Sequence, residues 1–174
     1  MSDEGAAMPR EEILNAALSE RELVEIDAEI AHAPYRNAVA IDALKIIQAH
    51  RGWVSDASLQ ALAKYLGMSS AELDGIATFY NFIYRRPVGE RVILLCNSIS
   101  CWIKGCETLQ DQISERLQIG PGETTPDNRC TLLPVGCLGA CDKAPVMMVG
   151  DDLHEDVDAS VIDVLFSKSA GDNS

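Results

Sequence analysis

The sequence predicts an α+β chain, with a helical bundle in front and a small mixed α/β domain behind. Three observations carry this prediction. Capping signatures and apolar positions at helical spacing fill residues 19–84. From Glu90 onward, short apolar runs alternate with turn signals. All six cysteines fall between 96 and 141, so the first 95 residues hold none. The boundaries expected from these shifts are a flexible acidic N-terminus over 1–18, a bundle over 19–86, a second domain over 87–168 and a flexible tail over 169–174.

In the front half, Ser19-Glu-Arg-Glu22 reads as a capping box, the hydroxyl accepting from a free N–H while the Glu reaches back. The helix it opens should end near Pro34. A second helix is expected over about 37–50, stopped by Gly52. Leu59, Leu62, Ala63 and Leu66 mark a third, closed by Gly67. Ser69-Ser-Ala-Glu72 is a further capping box, followed by a stripe of Leu73, Ile76, Ala77, Tyr80 and Ile83. Arg85-Arg86-Pro87 breaks the pattern and marks a linker at 85–89.

Behind the linker, residues 91–95 form a short apolar run suited to a buried strand. Residues 103–118 suit a helix with Cys106, Leu109, Ile113 and Leu117 on one face. Strands are expected at 129–135 and 146–149, then a turn at Gly150 and a fourth strand near 153–157. Asp158 can cap a last helix carrying Val161, Val164 and Leu165. The order β-α-β, loop, β-β-α is thioredoxin-like, with the loop 136–145 in place of a middle helix.

Charge and composition narrow the function. The hydrophobic share of 47% is that of a globular core. The net charge of −13 lies in the ends: residues 1–33 hold nine acids against two bases, and 150–174 hold seven against one. Nucleic-acid binding rests on basic groups displacing counterions, so such ends disfavour it. A helix-turn-helix reader would use 69–83 as its recognition helix, yet that stretch has Glu72 and Asp74 and no Lys or Arg. The aromatic group Phe79, Tyr80, Phe82 and Tyr84 therefore reads as core or interface, and the bundle as a docking element. No run approaches 18 apolar residues, which argues against a membrane span. The start, Met1-Ser-Asp-Glu-Gly, has neither signal-peptide nor Arg-rich transit character, pointing to the cytoplasm.

Six cysteines in a reducing compartment need a purpose other than disulfides. Four make two pairs: Cys96 and Cys101 as C-x4-C, and Cys137 and Cys141 as C-x3-C, with 35 residues between the pairs. Those residues read as helix then strand, a right-handed crossover that makes its two strands parallel neighbours. Both pairs then emerge at the carboxyl edge of one sheet. Neither pair has the C-x2-C form common in zinc knuckles. The wider arcs suit a two-iron rhomb, each pair holding one iron, so the spacing favours one [2Fe–2S] cluster and leaves zinc or a redox dithiol as alternatives. Gly136 and Gly139 allow close backbone approach, the helix start near Ile103 would aim its positive end at Cys101, and Lys104 and Lys143 would offset cluster charge. None of His32, His50 or His154 lies beside a pair, which argues against a His-ligated centre. Cys106 and Cys130 are expected as small core hydrophobes, with Cys106 near enough to substitute as a ligand.

At these residues the chain resembles the peripheral two-iron subunits (the E subunits) of bacterial NADH:quinone oxidoreductase, respiratory complex I, over about 19–160. The likeness rests on Gly52-Trp-Val-Ser-Asp56, Tyr65-Leu-Gly-Met68, Ala77-Thr-Phe-Tyr80, the C-x4-C, and the run from Leu133 through Val146 that contains Gly136-Cys-Leu-Gly-Ala-Cys141. It implies a helical bundle followed by a thioredoxin-like [2Fe–2S] ferredoxin domain, with the cluster ligands at Cys96, Cys101, Cys137 and Cys141. It also implies docking to a flavin- and NADH-binding subunit, with other peripheral-arm subunits nearby on the cytoplasmic side of the inner membrane. One electron would be exchanged there with the reduced flavin, aside from the main path to quinone. FMN and NAD would belong to the partner, since no G-x-G-x-x-G or other nucleotide loop occurs here. Trp102 and Cys106 depart from the pattern expected in that stretch. Similar subunits serve NAD-linked hydrogenases and formate dehydrogenases, which are the alternative hosts; a thiol-disulfide oxidoreductase is the remote one.

Overall fold

Ser19 does cap the first helix: its hydroxyl accepts from Glu22 N, and the Glu22 carboxylate accepts from Ser19 N at 2.6 Å. This computed structural model describes residues 18–167, in two compact units divided between Pro87 and Val88. The expected flexible ends lie almost wholly outside the described residues; Leu18, the exception, is buried in the core of the first unit.

Among its described residues, the first unit contains helices and no strand. Helices α1 (Glu20–His32), α2 (Ala40–Arg51), α3 (Asp56–Leu66) and α4 (Ser70–Phe79) enclose a core that includes Leu23, Ile26, Leu44, Ile47, Leu62 and Leu73. Gly52 and Gly67 end α2 and α3 in the left-handed conformation, which only a residue without Cβ adopts cheaply. Two boundaries differ from expectation. Residues 36–39 form a 3₁₀ turn before α2, because no side chain there caps the free N–H groups. The apolar stripe reaches Ile83, but α4 stops at Phe79. Beyond it the backbone is claimed by Gln48, whose Nε2 donates to Phe82 O at 2.8 Å and whose Oε1 accepts from Tyr84 N at 2.6 Å. Val54 N donates to Tyr84 O as well, at 2.8 Å. Ile83 is thereby turned into the core while Phe79, Tyr80 and Phe82 stay exposed. Arg85 closes the segment by pairing with Asp56 and Asp74.

The second unit is built on a four-stranded sheet of order β2-β1-β3-β4. Strand β1 (Arg91–Cys96) runs parallel to β2 (Cys130–Val135), with Arg91 opposite Cys130 and Cys96 opposite Val135. Strand β3 (Met147–Val149) lies antiparallel to β1 and forms a hairpin with β4 (Asp152–His154). Central β1 is buried from Val92 through Cys96, as its unbroken apolar run requires. β4 is shorter than expected. Asp156 adopts φ 48° and its N–H bonds to Lys143 O, which draws the chain off the sheet edge. Helices α6 (Cys106–Leu117) and α7 (Ala159–Ser167) pack against the sheet through Leu109, Ile113, Ile162 and Phe166. Of the apolar residues carried by α7, Val164 is exposed; Asp158 caps that helix, as expected, by accepting from Ser160 N and Val161 N. None of the described helices is long and apolar enough to cross a membrane.

The helix expected over 103–118 is present as α6, starting three residues late at Cys106, and a further short helix precedes it. A five-residue helix α5 (Ile99–Ile103) contains Cys101, and Gly105 at φ 89° separates it from α6. A left-handed residue cannot continue a helix, so α6 starts at Cys106. The helix start expected near Ile103 lies instead at Cys106.

The entry to β1 is tight. Gly89 N donates to the buried Thr131 hydroxyl at 2.6 Å. A Cβ on Gly89 would stand 2.8 Å from Asn128 O and 2.9 Å from Cys130 N, both backbone atoms that cannot swing away. Gly89→Ala is expected to cost about 1–3 kcal/mol through the forced shift of β2, measurable as a lower midpoint in urea.

Candidate metal centre

Parallel pairing of β1 and β2 decides where the thiols go. Cys96 is the last residue of β1, and its partner Val135 is the last of β2, two positions before Cys137. Both cysteine pairs thus leave the sheet at its carboxyl edge. The Cys96 N–H bonds to Val146 O at 3.2 Å and the Asn97 N–H to Val135 O at 3.0 Å, which holds the end of β1 between β2 and β3.

All six cysteines are free thiols, and they differ sharply in exposure. Cys96 and Cys101 are 1% exposed and share a small core with Ala144 and Val146. Leu138 and Ala140, from the loop between the other two cysteines, pack against this core and bring the second pair alongside. Cys137 and Cys141 are exposed, with their sulfurs 3.2 Å apart. Among the described residues no group of three or more His, Cys, Asp or Glu is gathered closely enough to hold a single metal ion.

The electrostatics follow this placement. Burial pushes the Cys101 thiol up to about 11, with Cys96 and Cys106 adding to the rise and a backbone hydrogen bond from Val146 opposing it. The Gly139 N–H, 3.3 Å from Cys137 Sγ, and the neighbouring Cys141 hold Cys137 below its ordinary value. The same proximity pushes Cys141 up, with Ser100 opposing the rise. Gly139 reaches this position at φ 92°, in the left-handed region where a Cβ is costly.

Cys106 departs from its expected place. Helical spacing puts it on the sheet-facing side with Leu109 and Ile113, whereas it opens α6 and lies 2% exposed in the small core of Cys96 and Cys101. The break at Gly105 rotates it there. Cys130 is buried in the sheet core as expected, with an Arg91 nitrogen 3.7 Å from its sulfur. Ser100 and the Val146 backbone act on the thiols without any signal in the spacing, since an intervening serine and a strand-entry amide look ordinary in sequence.

The donor set fits a two-iron cluster. Such a cluster takes four thiolates, two per iron, and its anionic sulfurs are stabilised by N–H groups. Cys96, Cys101, Cys137 and Cys141 could supply the thiolates, with Gly139 and Val146 supplying backbone donors. Lys104 and Lys143, both exposed, lie next to the two pairs in sequence.

Comparison with known proteins agrees with this chemistry. A family model for the thioredoxin-like [2Fe-2S] ferredoxin matches residues 26–170. The E subunit of NADH-quinone oxidoreductase from Pseudomonas aeruginosa is 48% identical over 140 residues, covering 80% of this chain and 84% of that protein. The corresponding protein of Escherichia coli K12 is 42% identical over 160 residues, covering 92% of this chain and 95% of that one. In fold, the chain is similar to the crystal structure of an NAD+-reducing [NiFe]-hydrogenase in the H2-reduced state, with a TM-score of 0.62 and 24% identity. That match covers 75% of this chain and only 22% of the hydrogenase chain. The two cysteine pairs at one sheet edge, the matched family model and relatives matched over most of their length converge: the chain belongs to the thioredoxin-like [2Fe–2S] ferredoxins, among the E subunits of NADH-quinone oxidoreductase.

Proposed function

We propose that this chain holds one [2Fe–2S] cluster on Cys96, Cys101, Cys137 and Cys141 and relays single electrons to and from the flavin of a partner protein in an NADH-quinone oxidoreductase. The observation that carries this reading is the meeting of a buried and an exposed thiol pair at the carboxyl edge of β1 and β2. When bound, the cluster supplies a one-electron couple. The protein residues supply the setting. Cys96 and Cys101, with Ala144 and Val146, keep water from the inner side. Cys137 and Cys141 form the outer side, where a partner can approach. The chain's own sequence lacks a dinucleotide loop, so NADH and FMN belong to that partner. Its place would be peripheral, on the cytoplasmic side of the membrane.

The test is reductive. NADH added to the purified chain alone should leave its visible absorbance unchanged, and addition of the flavin-bearing partner should bleach it. Bleaching by NADH without flavin would refute this division of labour. Co-purification distinguishes the hosts, since hydrogenase or formate dehydrogenase components would appear in place of quinone-reductase ones.

We further propose that the helical unit serves assembly and the second unit serves the cluster. The helical unit has no cysteine and has a core of its own. Residues 87–174 expressed alone should bind iron and sulfide at the parent stoichiometry while binding the partner more weakly, as read by analytical size exclusion. A fragment that stays unfolded would show that the two units depend on one another.

A further inference from the structure

Three buried thiols, not two, stand on the β1 side of the centre. Cys96, Cys101 and Cys106 are 1%, 1% and 2% exposed and share one small core. The sixth cysteine, Cys130, lies in the separate core with Leu109 and Ile113.

Cys106 is the better anchored of the two helical thiols. It begins the twelve-residue α6, which Leu109 and Ile113 fasten to the sheet. Cys101 belongs to the five-residue α5, of which it is the only buried residue; Ile99, Trp102 and Ile103 are all exposed. Between the two helices, Gly105 adopts φ 89°, so α5 and α6 are separate helices and not one rigid rod.

We propose that Cys106 is a reserve ligand, which takes the iron position of Cys101 when that residue is lost. The proposal rests on the four-cysteine reading above. In a Cys101→Ala chain the exchange balances simply. The S–H bond of Cys106 breaks, its proton passes to solvent water, and the electron pair left on sulfur forms one Fe–S bond. Ala has made no bond to iron that must break, and no oxidation state changes.

The experiment uses the full chain in four forms: parent, Cys101→Ala, Cys106→Ala and the double variant. Iron and sulfide content is measured on each, with the electron paramagnetic resonance spectrum after dithionite reduction and far-ultraviolet circular dichroism to check the fold. The expected result is that Cys101→Ala keeps most of its iron with shifted g-values. Cys106→Ala alone should reproduce the parent spectrum, and the double variant should hold almost no iron. Cys101→Val, which fills the same space and cannot ligate, replaces the Ala variant if that one loses helical signal. A folded Cys101→Ala chain as iron-poor as the double variant would overturn the reserve role. An altered spectrum in Cys106→Ala would make Cys106 a primary ligand and overturn it too. Failure of the underlying reading looks different: Cys137→Ala would then keep its full iron, and the reserve role would fall with it.

Discussion

Cys137→Ala and Cys141→Ala should each leave a folded protein that has lost nearly all its iron, sulfide and visible absorbance. These two thiols form the exposed half of the centre, and neither cysteine outside the ligand set belongs to their loop: Cys106 lies in the inner core and Cys130 in the separate sheet core. Removing even an outer partner that merely orients a metal ligand typically costs about 10–100-fold in affinity, so deleting the thiolate itself should cost more. The fold should survive. Both side chains are exposed, so truncation opens no cavity, and the strands before and after the loop keep their ladder. Iron analysis together with circular dichroism checks both halves of this expectation. Retention of full iron and sulfide in either variant would mean that the ligand set is wrong.

Arg51→Ala is expected to destabilise the helical unit by about 1–3 kcal/mol, the range for leaving a buried acceptor without its partner, since Glu22 is buried while the Arg51 side chain is about a third exposed. Glu22 is 1% exposed, and its carboxylate accepts from Arg51 Nε at 2.5 Å and Nη2 at 2.6 Å, besides Ser19. Without the guanidinium a carboxylate remains in an apolar setting with only the cap to satisfy it. Arg51 also donates to the fully buried Ser58 hydroxyl at 3.0 Å, which would lose that partner. Arg51→Lys should recover part of the loss, since an ammonium restores charge but not the two-pronged geometry. Chemical denaturation of the parent and both variants gives the order directly; equal midpoints for all three would remove the pair from the stability of this unit.

The same pair sets an acid limit. Burial pushes the Glu22 carboxyl up, but hydrogen bonds from Arg51 and from the Ser19 backbone and hydroxyl outweigh it and hold the group below its ordinary 4.5. A carboxyl lowered in the folded state contributes its stability above the unfolded value and loses it as pH falls through the folded one. Stability of the helical unit should therefore be flat above about pH 5 and decline below 4.5, with a shallower decline in Glu22→Gln. Denaturation midpoints measured between about pH 3 and 7 at about 0.15 M salt would show it.

Much of this protein was legible in one dimension because the relevant forces are local or topological. Ser19 and Ser69 cap helices through contacts three residues away, and Gly52 and Gly67 stop them through their own backbone freedom. The strand–helix–strand crossover has a fixed hand, so the placement of Cys96 and Cys137 at one sheet edge followed from strand ends alone. Glu22 shows where such reading stops. Its capping role was visible three residues from Ser19, whereas its partner Arg51 lies 29 positions on and carries no mark in the sequence.

The stretch from Ile99 to Leu117 divides the two kinds of information most clearly. Its apolar spacing and its cysteines are properties of the sequence, which determined that a helix would cross over from β1 to β2 and that thiols would gather at the sheet edge. Where that helix starts is a property of the folded domain: Gly105 at φ 89° lets α6 lie on the sheet through Leu109 and Ile113 while α5 turns Cys101 inward. Gln48 likewise ends α4 from 36 positions away by holding the Tyr84 amide. Local caps and periodicity act between neighbours that the chain itself brings together, so they can be read in order. Partners assembled only by packing can be seen only once the core has closed: the spacing placed Cys106 near the first pair but on the sheet-facing side, and the fold put it in the core of Cys96 and Cys101.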